Sequence, residues 1–313
     1  MAILNFIRVH VTDHLLIDGT NLAFRCFYGV KHLSNASTLP VNAIHGFVNT
    51  LWSLEQWIQY RHLWIFFDCS RSIRRTQLLP AYKANRTTTP EAFKQQLPHM
   101  KQLIPHLGGR VLEKMGVEAD DLLGTLSQKI AQNNGRAVIV SADKDLMQCV
   151  NEHVGQLIPT PQGWKLLDAK GVYEKMGIWP NQVVDYLALV GDAVDNFEGI
   201  RGVGPKTAIC WLQQYTSIDK ILANIDCIKP ERLRDRLMEA KNLLARNQRL
   251  AQLDHAEDLI NQMDIFNAQQ MQPNPAELLR IFNELNLTAL GKKTCERYRV
   301  HQTLPNSQTE FRF

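Results

Sequence analysis

Three short apolar runs frame the first half of the chain. "HLLID" (His14 to Asp18), "LWIFFD" (Leu63 to Asp68) and "RAVIV" (Arg136 to Val140), which leads into "SADKD", are continuous rather than alternating, and each gives way to aspartate. Runs of this length and kind read as strands buried on both faces. Between them lie stretches of helical period, from Ile44 to Ile58 and again at Leu122, Leu123, Leu126 and Ile130. The alternation predicts an α/β domain on a mainly parallel sheet. From about Asp168 the pattern turns mostly helical. The division expected is an α/β domain over 1–170, a helical subdomain over 171–260, and a C-terminal helical extension with a tail over 261–313.

Ligands of open parallel sheets gather at the carboxyl ends of the strands, where Asp18, Asp68, Asp143 and Asp145 would share a rim. "GVEADDLLG" adds Glu118, Asp120 and Asp121 at the first turn of the helix carrying Leu122 and Leu123. One carboxylate there serves the helix dipole and its free N–H groups, but three repel one another and raise each other's pKa unless a cation shares them. "GDAVDN", following the apolar "YLALV", supplies Asp192 and Asp195. Any one aspartate after a strand reads as a turn former or helix cap. Taken jointly, the clusters point to an oxygen-only site suited to Mg²⁺ or Mn²⁺, with ligands enough for two or more ions.

Charge sharpens this reading. The net charge of the 313 residues is +4, from 35 basic and 31 acidic side chains. With the nine carboxylates just named set aside, 35 basic residues face 22 acidic ones. A basic surface around an acidic pocket suits a polyanion whose phosphates meet a metal centre. The 45% hydrophobic and 21% charged composition is that of a soluble globular protein. No apolar stretch is long enough to span a membrane and no secretory leader is evident, so a cytoplasmic protein without membrane association is expected. The six cysteines are scattered without a CxxC pair, against a zinc cluster or disulfide framework.

Two further stretches carry candidate chemistry. In "GIRGVGPKTAICWL" (Gly199 to Leu212) glycines form a tight turn and Pro205 opens a helix, whose backbone N–H groups, with Lys206, could hold a phosphate. A nucleotide-binding P-loop does not fit, because Pro205 rather than lysine follows Gly204 and no strand precedes the turn; an ordinary helical packing corner is the other reading. "RRTQLLPAYKANRTTTPEAFKQQLP" (Arg74 to Pro98) interleaves basic residues with Tyr82 and Phe93. It reads either as a solvated helical excursion or as a passage for single-stranded nucleic acid, with cations on phosphates and rings on bases.

In order, "LLIDGTNLAFR", "FFD…RR…LPAYKANR", "VEADDLLG", "SADKDL", "GDAVDN" and "GIRGVGPKTA" resemble the motifs of the 5′ nuclease family, the flap endonucleases and 5′–3′ exonucleases, over roughly Leu15 to Leu259. That family includes the N-terminal nuclease domain of bacterial DNA polymerase I and stand-alone exonucleases. The resemblance implies a PIN-like, mostly parallel central sheet flanked by helices, a helical arch at roughly 80–105, and a C-terminal helix-hairpin-helix (H3TH) subdomain. It implies hydrolysis of DNA at 5′ ends and 5′-flap junctions by two-metal-ion catalysis, in replication or repair. Asp18, Asp68, Glu118, Asp120 and Asp121 would surround one metal and Asp143, Asp145, Asp192 and Asp195 a second; both members of the last pair, which some stand-alone bacterial relatives lack, are present. Lys83 and Arg86 match the family's "YKxxR" and would meet the scissile phosphate, so that the catalytic set is Lys83, Arg86, Asp18, Asp68, Asp121 and Asp143. Phe24, Arg75, Tyr82, Lys83 and Arg86 would contact DNA near the cut, and Gly202, Gly204, Lys206 and Thr207 would grip the duplex, with a K⁺ ion at the glycine turn.

The ends add less. His10, Asp13 and His14 read as solvated residues entering the first strand. The tail "QTEFRF" (Gln308 to Phe313) spaces a glutamine and two phenylalanines as sliding-clamp-binding peptides do, or is a frayed terminus. A monomer is expected. The rival functions are a junction-binding protein with negligible chemistry and a PIN-type ribonuclease; an acidic pocket that repels phosphates argues against the first, and the glycine turn with the basic stretch against the second.

Overall fold

In the computed structural model, residues 10–30, 33–34, 39–253, 256–261, 265 and 267–300 are described. The apolar runs form the middle of a six-stranded sheet: β1 (His14–Asp18), β2 (His62–Phe66), β3 (Gly109–Leu112), β4 (Ala137–Val140), β5 (Val154–Thr160) and β6 (Gly163–Leu167). Their order is β3-β2-β1-β4-β5-β6, with only the β5–β6 pair antiparallel. The order reverses direction at β1, so the crevice of a doubly wound sheet opens where β1 and β4 end. Asp18 is the last residue of β1.

Alternate residues of each strand feed opposite faces. Leu15, Ile17, Ile65, Val138 and Val140 pack with helices α1 (Gly19–Gly29), α2 (Asn42–Leu54) and a longer helix over Glu91–His106. Leu16, Trp64, Phe66 and Ile139 pack on the other face against the helix Ala119–Gln132 through Leu122, Leu123, Leu126 and Ile130. Next along the chain from β2 comes α3 (Ile73–Leu78), which makes the helix at Glu91–His106 α4 and that at Ala119–Gln132 α5. A third apolar cluster belongs to the helical half: α6 (Ala169–Met176), α7 (Val183–Val190), α8 (Pro205–Tyr215), α9 (Ile218–Ala223), α10 (Glu231–Glu239) and α11 (Lys241–Ala251).

Two regions pack on the α/β core. The arch region is not free-standing, because α4 buries Phe93, Met100, Leu103 and Ile104 in the first core, and the fully buried Gln96 accepts hydrogen bonds from the N–H groups of Ala43 (2.8 Å) and Ile44 (3.3 Å) at the start of α2. Only the turn before it, from Ala84 to Thr88, is continuously exposed. After a short α12 (Glu257–Asn261), α13 (Pro275–Glu284) and α14 (Thr288–Tyr298) return to the first core through Leu278, Ile281, Phe282 and Leu290. No described helix is long and apolar enough to cross a membrane. The tail at 308–313 lies outside the described residues.

Candidate metal centre and nucleic-acid cleft

Each expected carboxylate of the rim is delivered by a strand end or a helix start. Asp18 closes β1 and caps α1, accepting from the Asn21 N–H (2.9 Å) and from the Ser141 hydroxyl (2.9 Å). Gly19 follows because a side chain there would strike Ile65 Cγ2 and the Phe66 carbonyl at 2.7 Å. Asp68, two residues past β2, accepts from the Ala119 N–H (2.8 Å) and so fixes the entry of α5 against the sheet. Asp143, three residues past β4, accepts from the Asp145 N–H (2.9 Å).

Electrostatics bind Asp18, Asp68, Asp120 and Asp143 into one group. Burial and the charges of Asp68 and Asp143 push Asp18 up to about 7. Asp120 is driven well above the carboxylate range by desolvation and then by Asp18 and Asp143. Asp143 is raised chiefly by burial, and Asp145, by burial and the Asp143 charge, to about 8. The buried Oδ1 of Asp145 has no hydrogen-bond partner. Carboxylates crowded in this way exert an unmet demand for positive charge.

The remaining acids are already paired with cations. Glu118 sits at the N-cap of α5, where Lys83 Nζ (2.7 Å) and Arg75 Nη1 (2.8 Å) hold it below the usual range against the opposing effect of burial. Asp195 accepts from Arg86 Nη2 (2.9 Å), with Lys83 Nζ at 3.7 Å. The Tyr82 hydroxyl lies 3.0 Å from Glu118 Oε2 and 2.9 Å from Asp195 Oδ2, and its single proton serves one at a time. Asp192 is held low, despite burial, by Lys144 (2.8 Å) and by the N–H groups of Val194 and Asp195. Among the described residues no three His, Cys, Asp or Glu side chains already stand as a metal-ligand set.

Arg75, Asp121 and Tyr82 are buried away from solvent. Arg75 is 3% exposed and donates to Asp121, Glu118 and the backbone carbonyls of Leu250 and Gln252, which leaves it no surface toward DNA. Asp121, 1% exposed, is held by Arg75 at 2.6 Å. Tyr82 packs among the apolar residues of the helical half and is 2% exposed. Successive residues of a helix point about 100° apart, so Asp120 and Asp121 project in different directions from α5.

Lys83 and Arg86 line a cleft of about 1210 Å³ together with Phe24, Asp68, Glu118 and Thr87 to Thr89 of the turn before α4. Lys83 has a left-handed backbone (φ 53°), and its N–H donates to the Asp195 carbonyl (3.0 Å), which orients the side chain inward. Arg86 is half-exposed at the mouth. Phe24 stacks on Phe93 with centroids 4.1 Å apart and planes within 7°.

The acidic loop and the glycine turn are tied together. Gly191 (φ +79°) and Gly199 approach so closely that a Cβ on Gly191 would lie 2.3 Å from the Gly199 nitrogen. The chain then passes Gly202 (φ +89°) to Gly204, the N-cap of α8. Gly202, Gly204 and Lys206 are exposed and Thr207 is half-buried.

Two family models match the chain. One, described as the N-terminal resolvase-like domain of 5′-3′ exonuclease, covers residues 13–177, and the other, the C-terminal SAM fold of 5′-3′ exonuclease, covers 178–274. A 5′-3′ exonuclease of Aquifex aeolicus is 39% identical over 209 residues, 67% of this chain and 72% of that protein. The thermostable DNA polymerase I of Thermus thermophilus is 39% identical over 223 residues, 71% of this chain, which spans 26% of that relative. Among solved structures, the T5 D15 protein co-crystallised with metal ions aligns over 93% of this chain and 100% of its own, with TM-score 0.65 and 21% identity. The catalytic core of Rad2 in complex with DNA substrate aligns over 91% and 90%, with TM-score 0.59 and 15% identity. Both share the fold.

Proposed function

The chain belongs to the 5′-3′ exonuclease family, and from that premise we propose that it is a divalent-metal-dependent nuclease that hydrolyses DNA phosphodiesters at 5′ ends and 5′-flap junctions. The observation that carries the reading is the electrostatic coupling of carboxylates from four separate chain segments, Asp18, Asp68, Asp120 and Asp143, with Lys83, beside a cleft that Asp68, Glu118, Lys83 and Arg86 line. The donor set fits Mg²⁺ or Mn²⁺: it is all oxygen, its members raise one another's pKa, and Asp145 keeps a buried oxygen without a partner. Asp18, Asp68, Asp120 and Asp143 would hold the ions, with Glu118, Asp145, Asp192 and Asp195 beside them. When bound, such ions supply an activated water and charge neutralisation at the phosphodiester.

The protein groups divide the remaining work. Lys83, protonated and held by Glu118, offers its N–H groups to the phosphate where negative charge grows during hydrolysis. Arg86, half-exposed, can turn from Asp195 to a phosphate oxygen, because Asp195 keeps Lys83 and the Tyr82 hydroxyl beside it. Gly202, Gly204, Lys206 and Thr207 present backbone N–H groups to the duplex behind the cut, with K⁺ as an added bridge.

Cleavage of a labelled 5′-flap DNA with Mg²⁺, together with binding in Ca²⁺, tests the proposal. Wild type is expected to cut near the junction, and Asp143→Asn and Lys83→Ala to bind but cut far more slowly. Binding without cleavage in Mg²⁺ or Mn²⁺ would overturn it in favour of a junction-binding protein. Preference for the matched RNA flap would instead favour a ribonuclease.

A further inference from the structure

The first helix carries a second aromatic ring along the cleft, one turn beyond Phe24. Tyr28 lines the same 1210 Å³ space yet is 71% exposed, an unusual position for a ring of its size. Its plane lies within 11° of Phe24 at 6.4 Å between centroids, and Phe24 is itself within 7° of the buried Phe93. Three near-parallel rings thus step from the core to solvent. Phe27 meets Tyr28 edge-on (5.1 Å, 79°), which steadies the ring and leaves its area open.

The placement is set by α1. Asp18 caps that helix, so at 1.5 Å per residue Tyr28 lies about 15 Å along the axis from the acidic group, and Phe24 about 9 Å. A stacked strand rises about 3.4 Å per nucleotide, so about 15 Å is the reach of a few nucleotides beyond the acidic end. Arg86 and Lys94, both half-exposed, line the same space and supply the charge that a phosphate backbone needs. A parallel aromatic platform beside exposed cations is the arrangement that holds single-stranded nucleic acid irrespective of sequence.

We propose that Tyr28 is a stacking platform for an unpaired nucleobase of the substrate's 5′ strand, a positioning residue beyond Phe24. The inference rests on the nuclease reading above. The base would lie on the exposed face of the phenol ring, and the hydroxyl is not needed.

The test uses the full chain and 5′-flap DNA with 2-aminopurine at the first to fourth unpaired nucleotide, bound in Ca²⁺. Wild type and Tyr28→Phe should change the fluorescence of one of these positions. Tyr28→Ala should lose that signal and bind the flap roughly tenfold more weakly, in line with the alanine cost of base–aromatic stacking. On a nicked duplex without unpaired nucleotides the three proteins should bind alike. Unchanged fluorescence and affinity in Tyr28→Ala, or an equal loss on the nicked duplex, would overturn the inference while wild-type cleavage of the flap left the nuclease reading standing. Failure of wild type to cut any flap would instead remove that reading. Equal unfolding midpoints of the variants establish that affinity, not folding, is being read.

Discussion

Arg75 grips Asp121 with two parallel hydrogen bonds of 2.6 and 2.7 Å, and both side chains are buried behind the acidic cleft. The same guanidinium bonds the carbonyls of Leu250 and Gln252 at the end of α11, and through Glu118 it touches the rim. It therefore joins the helical half to the helix that carries the acidic cluster. Adjacent carboxylates on α5 consequently have different neighbours, Asp121 the Arg75 guanidinium and Asp120 the carboxylates of Asp18 and Asp143.

Asp121→Ala should destabilise the protein by about 3–5 kcal/mol, the cost of leaving a buried partner charge uncompensated. Asp120→Asn should leave stability unchanged or raise it, because it relieves repulsion with Asp18 and Asp143, while cleavage falls steeply. Urea unfolding and flap cleavage measured on both variants decide the matter. If Asp121→Ala is as stable as wild type, Arg75 and Asp121 are not the joint described.

Lys83 should separate catalysis from binding. Removing one donor aimed at developing charge costs about 10²–10³ in rate, so Lys83→Ala should lose that much in single-turnover cleavage with little change of flap affinity in Ca²⁺. Glu118 would retain Arg75 and Tyr82 as partners, so the variant should fold. A matching loss of affinity would mean that Lys83 only anchors DNA.

Continuous apolar runs ending in Asp18 and Asp68 locate the sheet and its reactive edge, because a strand buried on both faces has no polar alternative until it emerges. Arg75 and Lys83 stand in one basic run, and nothing in their spacing tells which turns inward. That is decided by the Ser72 hydroxyl accepting from the Arg75 N–H at the start of α3, and by the positive φ at Lys83, a conformation composition does not announce. Tyr82 reads as a DNA contact in sequence because its ring and polar tip are the same whether they meet a nucleotide or two carboxylates. The docking of α4 hinges on Gln96, a polar residue whose burial only its partners at the start of α2 explain.

Metal binding should act in opposition to an intrinsic pH dependence. Asp18 and Asp145 have folded values of about 7 and about 8 against about 3.8 when unfolded. The protonated form is thus favoured on folding, and the stability it brings is complete below about 3.8 and lost as pH rises through 7 to 8. Asp145→Asn should therefore raise the metal-free melting temperature relative to wild type at pH 8.5 and not at pH 4. Mn²⁺ or Mg²⁺ needs the ionised carboxylates, so its stabilisation of wild type should be larger at pH 8 than at pH 5.5, reaching about 2.7 kcal/mol at a hundred times Kd. Equal thermal shifts at both pH values, or none, would contradict a carboxylate metal centre.

The glycine turn offers a substitution that reads DNA approach without disturbing the fold. Gly202 has φ +89°, and a Cβ there would meet Arg236 Nη1 at 2.7 Å, the nitrogen that donates to the Arg201 carbonyl. Gly202→Ala should thus cost about 1–2 kcal/mol of stability from the left-handed backbone alone. Gly204 has φ −96°, and no atom lies within 4 Å of a Cβ built on it, so Gly204→Ala should fold with unchanged or slightly higher stability. If the N–H groups at the start of α8 bind a duplex phosphate, that methyl group stands between them and should weaken flap binding roughly tenfold, on the scale of one hydrogen bond to a charged group. The salt dependence should stay the same, since no charge is lost, whereas Lys206→Ala should lower the slope by about one. Equal flap affinities for Gly204→Ala and wild type would move the duplex contact away from this turn.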